Sequence, residues 1–243
     1  MLFRLRLALL AALLAAGMAV FAAVPPKKPH VVLLGTARQF PYSKAGDPAG
    51  AGPDETTLKA RPLLVDGRVS EWTTGDAHDI TDRSFVVRRA LRINDTLPSD
   101  AAPANPTNVK PAAKPAEHWV WQRGPWLLVD KLTGHVTALK LPDYDPGVSQ
   151  VAWFRDYAAY CGVTATGKSL YAVVAQVGVR KPVLAKKLSA YDAEGAPWPV
   201  CASPEWQREP LKVTFHPAGR DAASFDLVGG SARLVEDGDD SEP

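Results

Sequence analysis

Residues 148–184 read VSQVAWFRDYAAYCGVTATGKSLYAVVAQVGVRKPVL, the longest continuous strand-forming stretch of the 243-residue chain. Three runs within it, 151–154, 157–163 and 170–179, are rich in valine and aromatic residues, which suit a pleated, half-buried surface. They predict three consecutive strands. In the third run Leu170, Ala172 and Val174 point one way while Tyr171, Val173, Ala175 and Val177 point the other, so apolar groups cover both faces and a central strand is expected. Turn chemistry separates the runs. Arg155-Asp156 breaks the first pair and 164–168 (TATGK) the second, with Gly167 able to take positive φ. Pro182 then ends the ladder.

The same stretch holds Gly162-Val-Thr-Ala-Thr-Gly-Lys-Ser169, which matches the phosphate-binding pattern G-x-x-x-x-G-K-[ST] letter for letter. That loop works only where a strand leads into it and a helix leaves it, because the helix N-terminus and the Lys hold the anion. The residues after Ser169, LYAVVAQVGV, favour a strand, since β-branched side chains are stiff in a helix and Gly178 weakens it further. The motif therefore reads as a hairpin turn, and a strand after Ser169 removes nucleotide binding.

Residues 1–23 carry Arg4 and Arg6, then an apolar run from Leu7 and small residues at Ala19, Ala22 and Ala23. This is a secretory leader, expected to be cleaved after Ala22 or Ala23; uncleaved, it would be the chain's one membrane contact. The expected location is periplasmic or extracellular. Without Arg4 and Arg6, 26 basic residues face 26 acidic ones, and Glu236, Asp237, Asp239, Asp240 and Glu242 crowd the acids at the tail. No Lys/Arg block is dense enough to argue for nucleic acid. Cys161 and Cys201 are the only cysteines, and in an oxidising compartment such a pair is most simply a disulfide. No C-x-x-C spacing exists and the five histidines are scattered, so no metal site is read here and no cofactor is expected.

A single β-rich domain is expected over 24–236. Within it, 38–60 is rich in Pro, Gly, Ala and Asp and reads as an irregular surface segment. Asp66-Gly67 between apolar runs is a strong hairpin signal. Residues 84–93 (SFVVRRALRI) predict a strand with Phe85, Val87, Leu91 and Ile93 on the core face; Arg89 falls among them and needs a carboxylate partner or an opening to solvent. Residues 97–117 carry five prolines and read as a mobile Pro/Ala-rich loop. Residues 119–141 read as strand, Gly124-Pro125 break, strand, Thr133-Gly134 turn, strand. Further alternating strands are expected at 211–216, 223–228 and 232–235, and 237–243 as an acidic disordered tail.

The phrase LLVDKLTGHVTAL at 127–139 resembles the Asp-x-x-Thr-Gly-x-Val hairpin of β-propeller blades, and TGKSLYAV at 166–173 resembles another. The chain is similar in this to uncharacterised secreted bacterial β-rich proteins, a resemblance that implies no activity. Gly134 and Gly167 lie 33 residues apart with no third unit at that spacing, so no regular repeat follows. The expected fold is all-β: a mostly antiparallel meander, propeller-like or sandwich.

Two sets of residues carry chemistry. Asp76, His78, Asp79 and Asp82, in GDAHDITD, are the densest catalytic-looking cluster, since His with carboxylates makes a general base or holds a divalent ion. The plainer reading is a polar turn before the strand at Ser84. Asp143 and Asp145 lack an EF-hand ladder and read as a solvated loop. Trp119, Trp121, Trp126 and Trp153 are candidates for a binding surface, alternation placing Trp119 and Trp121 on one face. The sequence thus points to an exported cell-envelope β-protein that acts as a binding or structural module for a glycan or protein component. The alternative is a hydrolase or metal-dependent enzyme using the Asp76 to Asp82 cluster.

Overall fold

The computed structural model describes residues 28–95, 118–190, 200–228 and 231–234, with 189–190 and 231–234 described by backbone alone. The stretches expected as a leader (1–23), a Pro/Ala-rich loop (97–117) and an acidic tail (237–243) lie outside the described residues. Among the described residues fifteen strands form three sheets whose ladders are all antiparallel. The first contains β1 (Val32–Leu34), β2 (Arg38–Pro41), β3 (Thr57–Val65), β4 (Arg68–Thr81), β5 (Ser84–Asn94), β6 (Trp119–Asp130) and β7 (Val136–Ala138). The second is a meander of β8 (Ala152–Phe154), β9 (Tyr157–Val163), β10 (Ser169–Gln176) and β11 (Leu184–Ala190), and the third a meander of β12 (Cys201–Gln207), β13 (Lys212–Pro217), β14 (Ala223–Val228) and β15 (Ser231–Leu234).

The stretch 148–184 folds into the three strands its pattern predicts, except that the third ends at Gln176 and not at 179: 177–178 turn instead, with Gly178 at positive φ. β10 lies between β9 and β11 and is covered on both faces. Leu170, Ala172 and Val174 join Ala159, Cys161 and Val163 of β9 in one core, which Val213, Phe215, Phe225 and Leu227 of the third sheet complete. The two four-stranded sheets therefore share a sandwich core, and the Cys161–Cys201 disulfide crosses it. On the opposite face Ala158, Tyr160, Val173 and Ala175 pack against Leu141, Tyr144, Val151 and Trp153. Each large apolar side chain so enclosed contributes about 1.5–3 kcal/mol. Because β10 begins at Ser169 itself, the phosphate-loop string is a β-hairpin and has no helix to hold an anion.

Several expectations need correction. The segment 38–60 is irregular only between 42 and 56: β2 pairs with the start of β3, Arg38 opposite Ala60 through Pro41 opposite Thr57. Phe40 packs on Leu58 and Ala60, so distant pairing overrides the loop-like composition. The stretch expected as a polar turn from Asp76 is instead the end of β4, and its turn is confined to Asp82 and Arg83. Gly124-Pro125 does not interrupt its strand. β6 runs through it by a bulge, where the pairing steps from Arg88 opposite Trp126 to Ala90 opposite Arg123. A bulge tolerates Pro because no ladder N–H is needed there.

β5 is likewise buried on both faces rather than one. Phe85 and Val87 pack with Leu63, Leu127 and Val129, and Val86, Arg88 and Ala90 are buried on the other side. The first sheet is drawn round without closing into a barrel. Tyr42 bridges to Trp121, Ser43 N–H donates to Trp121 O at 2.9 Å, and His30 N–H donates to Leu132 O at 3.1 Å.

Candidate functional site

The β4–β5 ladder runs from Thr81 opposite Ser84 to Thr73 opposite Arg89 and stops there. Beyond it β4 goes on pairing with β3 and β5 with β6, so the two strands part. The wedge between them is an open cleft of about 700 Å³. Aromatic rings fill its base. Phe40 stacks on Trp121 with ring centres 4.5 Å apart, and Trp72 stands edge-on to both, at 5.6 and 5.4 Å. Offset and edge-to-face pairs of this kind are rigid platforms. Pairing puts them there: Phe40 lies opposite Leu58, Trp72 opposite Pro62, and the Tyr42 bridge draws β2 onto Trp121.

Arginines edge the platform. Arg92 lies over the Trp119 ring, 4.3 Å from its centre. Arg89 Nε donates to Glu71 Oε2 at 2.9 Å, the carboxylate its place in the strand demanded. Arg38 and Arg92 have no carboxylate partner among the described residues, and both are exposed. Trp119 is 38% exposed and Trp121 8%, so Trp119 is the more open ring at the cleft and Trp121 supports its base.

The four tryptophans do not form one surface. Trp119 and Trp121 line the cleft, whereas Trp126 and Trp153 meet edge-to-face at 5.1 Å where the first sheet packs on the second. The same junction holds a buried ion pair. Arg88 Nη2 lies 3.0 Å from Asp47 Oδ2, Arg88 Nε donates to Gly124 O at 2.6 Å and Nη1 to the Tyr144 hydroxyl at 3.3 Å. Burial holds the Asp47 carboxyl above the usual range despite Arg88 and Arg123 nearby. Arg123 in turn donates to both Glu55 oxygens and to the Tyr42 hydroxyl.

The acidic cluster is spread out. Asp76 lines a small cleft with Glu55, Arg61 and Arg123. His78 donates from Nε2 to Arg155 O at 2.7 Å and stacks on Trp153, and Asp79 pairs with Lys131 at 2.8 Å. His78 and Asp79 border a different hollow, with Arg155, Arg208 and Glu209, and Asp82 lies in the exposed β4–β5 turn. No group of three His, Cys, Asp or Glu side chains is gathered for a metal among the described residues.

Phe40, Trp72, Arg38 and the Asp47–Arg88 pair escape a reading of the sequence. The alternation of Arg88, Ala90 and Arg92 opposite a Trp-x-Trp strand is the one local sign of a cationic, aromatic face. Comparison with family models, curated proteins and solved structures finds no match for this chain.

Proposed function

We propose that this chain is an exported binding module of the cell envelope, without chemistry of its own, that holds a glycan or protein component in the cleft between β4 and β5. The observation that carries this is the cleft itself: a preformed base of three packed rings, a half-exposed tryptophan and two arginines without a carboxylate partner among the described residues. Exposed aromatic groups set in a rigid sheet bind with little ordering cost. The leader and the Cys161–Cys201 bridge support an oxidising, extracytoplasmic setting. The rival enzyme reading draws less support, since His78 and Asp79 are tied to Arg155 and Lys131 while Asp76 borders another cleft.

Thermal unfolding of the protein with envelope glycans, peptides and divalent ions tests the reading. A ligand that binds only the folded state at about 100 times its Kd adds roughly 2.7 kcal/mol. The expected result is a glycan- or peptide-dependent rise in Tm that Trp119→Ala abolishes without lowering the ligand-free Tm by more than a few degrees. A rise specific to divalent ions, kept by Trp119→Ala and lost in His78→Ala, would transfer the function to the acidic cluster.

A further inference from the structure

We infer that the ligand of this cleft is a uronate-bearing polysaccharide, an inference that rests on the cleft being the binding site. Two kinds of surface are offered side by side. Trp72, Phe40 and the half-exposed Trp119 present flat apolar rings, which suit the C–H faces of pyranose sugars. Arg38 on β2 and Arg92 on β5 present guanidinium groups with no carboxylate of their own among the described residues. A guanidinium fork matches a carboxylate in a bidentate way, and a weakly hydrated one stacked on a ring, as Arg92 is on Trp119, loses little on binding.

Charge complementarity therefore selects an anion, and the rings select which anion. Glu71 already pairs with Arg89, so among the described residues the unmatched positive charge of the cleft sits at Arg38 and Arg92, on the β2 and β5 walls. A polymer with a carboxylate on successive rigid rings uses both walls and the base together. An acidic peptide would engage the arginines while leaving the rings without flat partners. An anionic lipid headgroup would leave its chains outside an open, shallow wedge. A neutral glycan would use the rings alone.

Tryptophan fluorescence titration separates these outcomes. The probes are oligomers of polygalacturonate, alginate and hyaluronan, the methyl ester of the galacturonate oligomer, a poly-glutamate peptide and vesicles of anionic phospholipid. The inference expects at least one uronate to bind. The galacturonate ester would bind about tenfold or more weaker than its acid, wherever the acid is a ligand. Raising ionic strength from about 0.1 to 1 M, which shortens the screening length from roughly 10 to 3 Å, would weaken uronate binding several-fold. The double variant Arg38→Gln/Arg92→Gln would lose about tenfold or more for uronates, with an unchanged Tm to show that it folds.

Equal binding of acid and ester would overturn the inference and leave the cleft as a neutral-sugar site. Binding of poly-glutamate or vesicles in place of uronates would overturn it in favour of those partners, again with the cleft intact. Uronate binding that survives both the double arginine variant and Trp119→Ala would overturn it by placing the anion elsewhere. If no uronate binds, the inference fails; if nothing in the wider glycan and peptide panel binds either, the cleft reading fails with it.

Discussion

Asp47 is 1% exposed and Arg88 8%, and taking two such charges out of water costs several kcal/mol each unless geometry and hydrogen bonds recover it. Arg88 recovers it through Asp47, the Gly124 carbonyl and the Tyr144 hydroxyl, and Asp47 also accepts the Gly50 N–H at 3.1 Å. The pair fixes the excursion 42–56 onto the first sheet, and through Tyr144 it reaches the second. Asp47→Ala leaves the guanidinium buried without its counter-charge and is expected to cost roughly 3–5 kcal/mol. Adding Arg88→Met removes the stranded charge, so the double variant is expected to regain much of that loss. Urea unfolding of the two variants beside the parent measures both steps; an unchanged midpoint for Asp47→Ala would show that the pair does not hold the excursion. Residue types at single positions could not announce this. Asp47 sits in a Pro- and Gly-rich run whose composition says surface loop, and Arg88 differs from its neighbour Arg89 only in the face it takes, which the bulge opposite Gly124-Pro125 shapes.

A strand is held by its ends as well as its ladder, and β6 ends on Asp130. That carboxylate takes Arg83 at 2.8 and 3.0 Å, while Oδ1 also accepts the N–H groups of Leu132 and Thr133. Foremost the hydrogen bonds from Arg83, then those backbone donors, hold the Asp130 carboxyl well below the usual carboxylate range. A folded-state pKa below the unfolded one means that the unfolded chain binds more protons in acid. Stability from this turn is therefore complete above about pH 4 and is lost as pH falls toward the lower folded value. Asp130→Asn is expected to have a lower Tm than the parent at neutral pH, with the gap closing as pH drops through that window. A gap that is the same at every pH would show that the charge plays no part. Hairpin ends of this kind are local and were legible: Asp66-Gly67 and Thr133-Gly134 are turns where their residues demand them, with Gly67 and Gly134 both at positive φ. The alternation along β10 likewise placed Leu170, Ala172 and Val174 on one core face and Tyr171, Val173 and Ala175 on the other. Features set by a distant partner were not legible. β2 exists because β3 accepts it, β4 extends to Thr81 because β5 pairs back along it, and neither fact is written in the local composition.

Across the molecule, three sheets meet through two unlike interfaces. The first sheet joins the second through polar and aromatic contacts: Arg88 with Tyr144, Trp126 with Trp153, and His78 with the Arg155 carbonyl. The second and third sheets share an apolar core. The cleft belongs to the first sheet alone, assembled from β2, β4, β5 and β6. Half of it was legible, since period-two alternation puts Trp119 and Trp121 on one face, but Phe40 and Trp72 come from strands whose pairing brings them across. This division predicts how the disulfide acts. Cys161 on β9 and Cys201 on β12 tie the sandwich across a separation of 40 residues, and a loop of that length restricts the unfolded chain by about 3–4 kcal/mol on the chain-entropy model. Replacing both cysteines by Ala is expected to destabilise by about that amount or somewhat more, because the cysteines are also buried in the shared core. Hydrogen exchange then locates the loss. Amides of β9, β10 and β13 should gain exchange first, while those of β5 and β6 should be affected only as far as global unfolding carries them. Ligand affinity at the cleft, measured where the variant is still folded, should be unchanged. If affinity fell with the disulfide, the first sheet would depend on the sandwich for its shape, and the polar junction would be a coupling element rather than a seam.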